Sequence, residues 1–300
     1  GGTDEEKSIE TVRQALAREI SFIDIAPVYG FGRSEELVGR AIERLERSSF
    51  VLATKVGIEW TEDESVFRNA SRDRIMKEVE DSLRRLGTDY IDLYQVHWPD
   101  PVVSIEETAS TMRELYEQGV IRAVGVSNFS VEQMRLFMDS SPLHTCQPPY
   151  NIFERDIDED VRPFCLENGI SLVTYGALCR GLLTGKMSEH SSFEGDDLRK
   201  MDPKFQPPRY GQYLAAVERV KGIAEGYGKS LLQLAVQWIL QQGVTVALWG
   251  ARRPDQLDDA EGIGEWTISE EDLKKIDKIL EEEITDPAGP EFMAPPTRES

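Results

Sequence analysis

The chain of 300 residues is poor in positive charge, with 34 Lys and Arg against 55 Asp and Glu for a net charge of -21. That balance argues against nucleic-acid or anionic-membrane partners. Any anionic ligand must then be held by a few local cations or by backbone amides. Cysteine is scarce as well. Cys146, Cys165 and Cys179 are odd in number and widely spaced, which gives neither a disulfide frame nor a metal pattern and points to a reduced, cytoplasmic compartment. No apolar run is long enough to cross a bilayer, and no signal peptide opens the chain. No Gly-x-Gly-x-x-Gly follows a strand, so the Rossmann fingerprint is excluded.

What the chain does have is a repeated alternation of apolar strands and amphipathic helices. Thr3 to Glu6 reads as a capping box, followed by Ile9, Val12, Leu16 and Ile20 at helical spacing. Phe22 to Ile25 is a short apolar strand interrupted by Asp24, with Tyr29 in the turn beyond it. A helix from Ser34, a strand at 50–53 with Lys55 at its end, a helix over 71–86 and a strand over 90–96 with His97 at its tip follow. Ser104 and Ser130 open two more capped helices on either side of a strand at 121–126, which stops at Ser127 and Asn128. Further strands are expected near 145, 170 and 244, and helices over 161–167, 213–227, 230–242, 254–260 and 269–281. The segment 188–210 has no period, and a run of that length inside a compact domain suggests a functional loop or lid. The tail from Asp286 is proline-rich and expected to be irregular.

Strand–helix alternation without a linker predicts one domain over residues 1–300, built on a parallel sheet with helical crossovers. Seven strands are counted, and every polar residue singled out lies at a strand's carboxyl end, where a (β/α)8 barrel builds its site. The eighth strand is expected in a segment preceding Gly1. In such a barrel Asp24, Tyr29, Lys55 and His97 would converge from adjacent strands. An ammonium near a phenol favours phenolate and makes the phenol a better proton donor. Lys55 could supply that charge with Asp24 as its counter-ion, and His97 could orient a carbonyl oxygen. Taken singly, each residue has a structural alternative as a cap, a packed aromatic or a core histidine. Lys55 could also be a Schiff-base nucleophile, although that chemistry needs no tyrosine and acid in this pattern. His144 and His190 read as solvated loop residues.

These motifs, DIAPVYG from Asp24, LATK ending at Lys55, DLYQVHWPD around His97, GVSNF, QPPYN, TYGALCRGLLTGK and GARRPDQL from Gly250, together resemble the aldo-keto reductases. The resemblance runs from Thr3 to about Ile263 and is closest to the bacterial general-stress branch. It implies an NADP(H)-dependent oxidoreductase acting on a small carbonyl substrate, with Tyr29 as general acid, Lys55 and Asp24 tuning it and His97 orienting the carbonyl. Ser127, Asn128 and Gln147 would hold the nicotinamide carboxamide and Tyr175 would stack on the ring. Gly176, Ala177, Leu178, Arg180 and Gly181 would follow the pyrophosphate, with Gly250, Arg252, Arg253 and Gln256 on the adenosine side. The resemblance also leaves open a regulatory NADP(H)-binding subunit with little turnover. The residues themselves support the 2′-phosphate assignment, because an adjacent arginine pair in so acidic a chain is a local anion site. Trp60 and Trp98 could wall a substrate pocket, though packed core roles are the simpler reading. The substrate and the oligomeric state are not legible.

Overall fold

The computed structural model describes residues 4–195 and 197–298. Helix α1 (Glu5–Ala17) is capped by Asp4, whose carboxylate accepts from the Lys7 amide. Thr3, the expected cap, lies outside the described residues. Strand β1 (Phe22–Asp24), helix α2 (Arg33–Ile42) and strand β2 (Val51–Val56) follow. A hairpin of β3 (Ile58–Trp60) and β4 (Val66–Arg68), antiparallel and outside the main sheet, was not foreseen. Its strands are three residues each, too short for alternation to stand out. Then come α3 (Arg72–Leu86), β5 (Leu93–Val96), α4 (Ile105–Glu117), β6 (Val124–Ser127), α5 (Val131–Met138), β7 (Thr145–Gln147), α6 (Val161–Glu167) and β8 (Ser171–Thr174). The chain continues through α7 (Arg209–Gly226), α8 (Leu231–Gln241), β9 (Val246–Ala247) and α9 (Glu270–Glu283).

Seven strands form one sheet in the order β1-β2-β5-β6-β7-β8-β9, and every neighbouring pair is parallel. Chain order and sheet order coincide because each helix returns the chain over the same face, as right-handed crossovers do. The result is a curled, open α/β barrel with β1 and β9 at its edges. No strand among the described residues fills the eighth position. Helix α1 spans that side, packing on the turn over 254–260, where Arg18 pairs with Asp258 at 2.9 Å.

Two apolar clusters hold the layers together. A small one joins β1 to α2 through Ile23, Ile25, Val38, Ile42, Phe50 and Leu52, and the main one runs from β2 round to α9. A fully buried Leu or Ile contributes about 1.5–3 kcal/mol by removal from water, so either cluster outweighs any single surface ion pair. The capping signals divide in an instructive way. Ser130 and Gln133 form the reciprocal box expected of them. Ser104 caps α4, but the Glu107 carboxylate accepts from the Arg72 amide at 3.1 Å and so ties α4 to α3.

Two further expectations are corrected, the extent of the last strand, read over 244–249, and the solvation of His144, and two irregular regions are seen to be packed. The last strand is two residues long. The 188–210 segment carries short turns over 198–200 and 203–205 and packs Phe193, Phe205 and Tyr210 edge-on or tilted against one another. The tail is irregular but not loose: Arg68 donates to the carbonyls of Pro295 and Pro296, both at 3.0 Å, and Arg298 meets Asp100 at 3.3 Å. His144 is also half-buried, its Nδ1 accepting from the Val124 amide at 3.0 Å, and so is a strand-edge cap.

Candidate active site

The carboxyl ends of β1, β2, β5, β6, β7 and β8 bring most of the marked polar residues to one face of the sheet. Lys55 is fully buried near the end of β2, and its ammonium donates to Asp24 Oδ1 at 2.5 Å and to the Ile25 carbonyl at 2.9 Å. The other Asp24 oxygen accepts from Gln147 at 2.8 Å and from Gln95 at 3.1 Å. A buried carboxylate needs such partners on both oxygens. Gln95 was not singled out from sequence. A glutamine inside a strand carries no chemical signature, and only its register beside Lys55 reveals its role.

Tyr29 stands beyond β1 on a tight left-handed turn. Gly30, Phe31 and Gly32 have φ of 65°, 54° and 93°. At Gly32 the left-handed conformation favours glycine, and a Cβ would be tight, 3.0 Å from Arg85 Cδ. That arginine is itself fixed, donating to the buried Glu35 at 2.6 Å. Tyr29 is 46 % exposed. The Lys55 ammonium lies 5.4 Å from the ring centroid, and the His97 ring meets the tyrosine edge-on at 5.9 Å.

Burial alone would lower the Lys55 pKa, but the Asp24 carboxylate and then the Tyr29 phenol more than offset it, so the lysine is raised above its ordinary value. His97 shifts the other way. Burial first, and the nearby Lys55 ammonium second, hold it well below the usual imidazole range. A neutral histidine beside a fixed ammonium can donate one N–H to an oxygen without adding charge. The arrangement therefore has one permanent cation, one phenol and one neutral donor around a common point.

Beside these, Asn128 occupies the left-handed region at the end of β6 (φ 62°), where asparagine is tolerated. It donates to the His97 carbonyl and to Ser127 Oγ, both at 3.0 Å, and accepts from the Tyr175 hydroxyl at 2.9 Å. Ser127 donates to the Gln147 carbonyl at 2.7 Å. Tyr175 is raised in pKa mainly by burial, so it stays a neutral donor. The structure thus links Ser127, Asn128, Gln147 and Tyr175 to the catalytic candidates, although the Gln147 amide is directed inward at Asp24.

The remaining positions lie in two groups. The Gly176 carbonyl accepts from Asn151 at 3.0 Å, the Ala177 amide donates to the Leu248 carbonyl at 3.3 Å, and Leu178 leads into a tight turn over 179–184. Within that turn the Arg180 guanidinium is engaged by the Glu154 and Asp202 carboxylates. Gly250, Arg252 and Arg253 are exposed beyond β9. Arg253 pairs with Asp255 at 3.0 Å, and the Gln256 side chain accepts from the Arg252 and Arg253 amides at 2.6 and 3.1 Å. No ion pair with a described residue holds Arg252. Trp60 packs on Phe31 and under Arg74, and Trp98 lies under Arg68.

The model of the aldo/keto reductase family matches residues 1–281. The chain belongs to the aldo-keto reductase family. It is 59 % identical over 302 residues to the aldo-keto reductase YhdN of Bacillus subtilis (strain 168), a match that spans 100 % of this chain and 91 % of that protein. It is 34 % identical over 270 residues to the NADH-specific methylglyoxal reductase of Escherichia coli (strain K12), covering 86 % and 82 %. Among solved structures, the glycerol dehydrogenase AKR11B4 of Gluconobacter oxydans superposes with a TM-score of 0.90 at 47 % identity, over 98 % of this chain and 91 % of that one. Aldo-keto reductases of Klebsiella pneumoniae solved with NADP or NADPH are also similar, at 25 % identity. The parallel barrel is that of an aldo-keto reductase, an oxidoreductase family.

Proposed function

We propose that this aldo-keto reductase is an NADP(H)-dependent carbonyl reductase of small aldehydes or ketones, with Tyr29 as general acid. The observation that carries the reading is the convergence of a charged, fully buried Lys55 and a neutral His97 on the Tyr29 ring. Lys55 favours the phenolate left after proton donation, Asp24 keeps Lys55 charged, and the His97 N–H directs the substrate oxygen toward Tyr29. A positioned general acid of this kind typically contributes ~10²–10⁴ in rate. When bound, NADPH supplies the hydride.

The residues present fit such a cofactor. Ser127, Asn128 and Gln147 would hold the carboxamide end, Tyr175 the ring, the turn from Gly176 to Gly181 the diphosphate, and Arg252 with Arg253 the 2′-phosphate. An exposed arginine without a described ionic partner, in a chain of charge -21, supports the phosphorylated cofactor. The NADH-specific relative and the Arg253–Asp255 pair favour a second reading, in which NADH is used. The glycerol dehydrogenase relative adds glycerol and glyceraldehyde to the substrates worth screening.

The test follows nicotinamide absorbance with nitrobenzaldehyde, methylglyoxal or glyceraldehyde, using NADPH and NADH in parallel. Turnover by the wild type, lost in Tyr29→Phe with cofactor binding retained, is expected. Binding without turnover in the wild type would favour the regulatory subunit instead. Equal affinity for both cofactors, unaffected by Arg252→Ala, would remove the 2′-phosphate assignment.

A further inference from the structure

Arg180 lies in the turn that this functional reading sets along the diphosphate, yet its side chain is not free to meet one. Its Nη2 donates to Glu154, its Nε faces Asp202, and its Nη1 lies 3.7 Å from Met293 Sδ. Lys204 completes the group, with Nζ 2.7 Å from Glu154 and 3.6 Å from Asp202. Glu154, Asp202 and Lys204 are 3 %, 0 % and 0 % exposed. Two acids and two bases close on one another. Such a group projects little net field outward, and a diphosphate would have to compete with two carboxylates already in contact.

The tetrad instead ties together loops that lie outside the seven-stranded sheet. Asn151 donates to Glu154 at 2.6 Å and to the Gly176 carbonyl at 3.0 Å, which reaches the loop after β8. Asp202 and Lys204 belong to the 188–210 segment. Lys204 also donates to the Gly289 carbonyl at 3.0 Å, and Phe292 lies under the guanidinium at 5.4 Å, so the tail is fastened here too. What is held is an unusual backbone. Cys179, Arg180 and Gly181 have φ of 44°, 54° and 98° in succession. Left-handed conformations cost an L-residue roughly 1–2 kcal/mol and persist where the surroundings over-determine them. At Gly181 a Cβ would come within 2.8 Å of Met187. The Cys179 and Gly181 amides already donate to the Gly176 and Leu178 carbonyls at 2.8 and 2.9 Å, which leaves the Arg180 amide as the N–H of the turn available to an anion.

We infer that Arg180 is a positioning residue: with Glu154, Asp202 and Lys204 its side chain locks the 179–181 turn so that its backbone amide, and not its guanidinium, receives the cofactor's diphosphate. This rests on the NADP(H) reading above. Direct ligation by Arg180 and positioning by the tetrad predict opposite signs when an acid is neutralised. If Arg180 bound phosphate itself, Asp202→Asn or Glu154→Gln would release it and tighten NADPH. If the tetrad positions the turn, the same changes leave buried charge unpaired and loosen it.

The experiment titrates NADPH fluorescence against the full-length wild type, Asp202→Asn, Glu154→Gln and Arg180→Lys, with thermal unfolding and steady-state kinetics on each. Expected is a tenfold or greater rise in Kd for all three, with kcat at saturating NADPH within about twofold of wild type. Asp202→Glu should recover part of the affinity. Unchanged or tighter binding in Asp202→Asn or Glu154→Gln overturns the inference, as does a fall in kcat that merely follows the unfolded fraction. Should both acid variants fail to fold, Arg180→Lys decides: it keeps the charge and loses the two-sided fork, so near-wild-type affinity contradicts positioning. Failure of the wild type to bind NADPH removes the underlying reading and the inference with it. Binding by the wild type with tightening in the variants removes the inference alone.

Discussion

The barrel face carries two buried charge groups that are chemically alike and arranged to different ends. Around Asp24 one acid faces one base, and the carboxylate's second oxygen is filled by the neutral amides of Gln95 and Gln147. That leaves the Lys55 ammonium with an unspent side toward Tyr29. Around Arg180 two acids face two bases, and the charges are spent on each other. An open pair can polarise a neighbour, whereas a closed tetrad can only hold its owners in place. Position reinforces the difference. The open pair sits on the adjacent, hydrogen-bonded strands β1 and β2, while the closed one joins loops.

The comparison breaks most sharply at Tyr29. Tyr29→Phe should lower kcat by ~10²–10⁴ with NADPH affinity unchanged, because the open pair would have nothing to act on. A similar loss from Asp202→Asn at saturating cofactor would erase the distinction. Next in size is Lys55→Met. Removing one partner of a buried pair typically costs about 3–5 kcal/mol, read as a lower midpoint in urea. The proton linkage gives this a second signature. Because the folded Lys55 pKa is raised, its contribution is complete below the ordinary lysine value of about 10.4 and is lost as pH climbs through the folded value. Wild-type stability should therefore fall on the alkaline side with a component that Lys55→Met lacks.

Legibility followed the same division. Asp24, Lys55 and His97 could be marked from sequence because each is a polar residue at or next to the end of an apolar strand, with Tyr29 in the turn after the first, and strand ends in a parallel barrel share one face. Gln95, equally central, was invisible: its neighbours Tyr94 and Val96 read only as core. The tetrad was less visible still. Glu154, Arg180 and Lys204 are separated by 26 and 24 residues, and no periodicity relates positions on different loops. The seven-stranded count was right since strand and helix periods are local. The tail's docking on Arg68 was not, since proline-rich sequence signals irregular backbone and says nothing of where it lies.

The middle range of effect belongs to Arg252 and His97. Arg252→Ala should raise the KM for NADPH by about 10- to 100-fold, the loss of one or two charge-assisted hydrogen bonds, and leave NADH untouched. His97 tests the open pair from the acid side. Its folded pKa lies well below the ordinary value of about 6.5, so the unfolded chain takes up the proton first. The stability it contributes is present above that ordinary value and is lost as pH falls toward the folded one. His97→Gln should flatten the acid limb of a Tm-against-pH curve while keeping a donor for the carbonyl.

The smallest effect should come from Gln95→Leu, and it discriminates most finely between an open pair and a closed one. The substitution removes one of the two amides on Asp24 Oδ2 and leaves Gln147 in place. A single hydrogen bond to a charged group is worth about 1.5–3 kcal/mol, and the surviving partner reduces that cost, so the melting point should drop by a few degrees at most. If the neutral amides exist only to satisfy Asp24, kcat should stay within about twofold of wild type. If they also set how much of the carboxylate's charge is left for Lys55, Gln95→Leu should bind Lys55 more tightly to Asp24. The alkaline stability limb would then move to higher pH. A shift of that limb without loss of turnover would show the pair being tuned through its neutral side, a handle that the closed tetrad, with acids and bases in equal number, does not have.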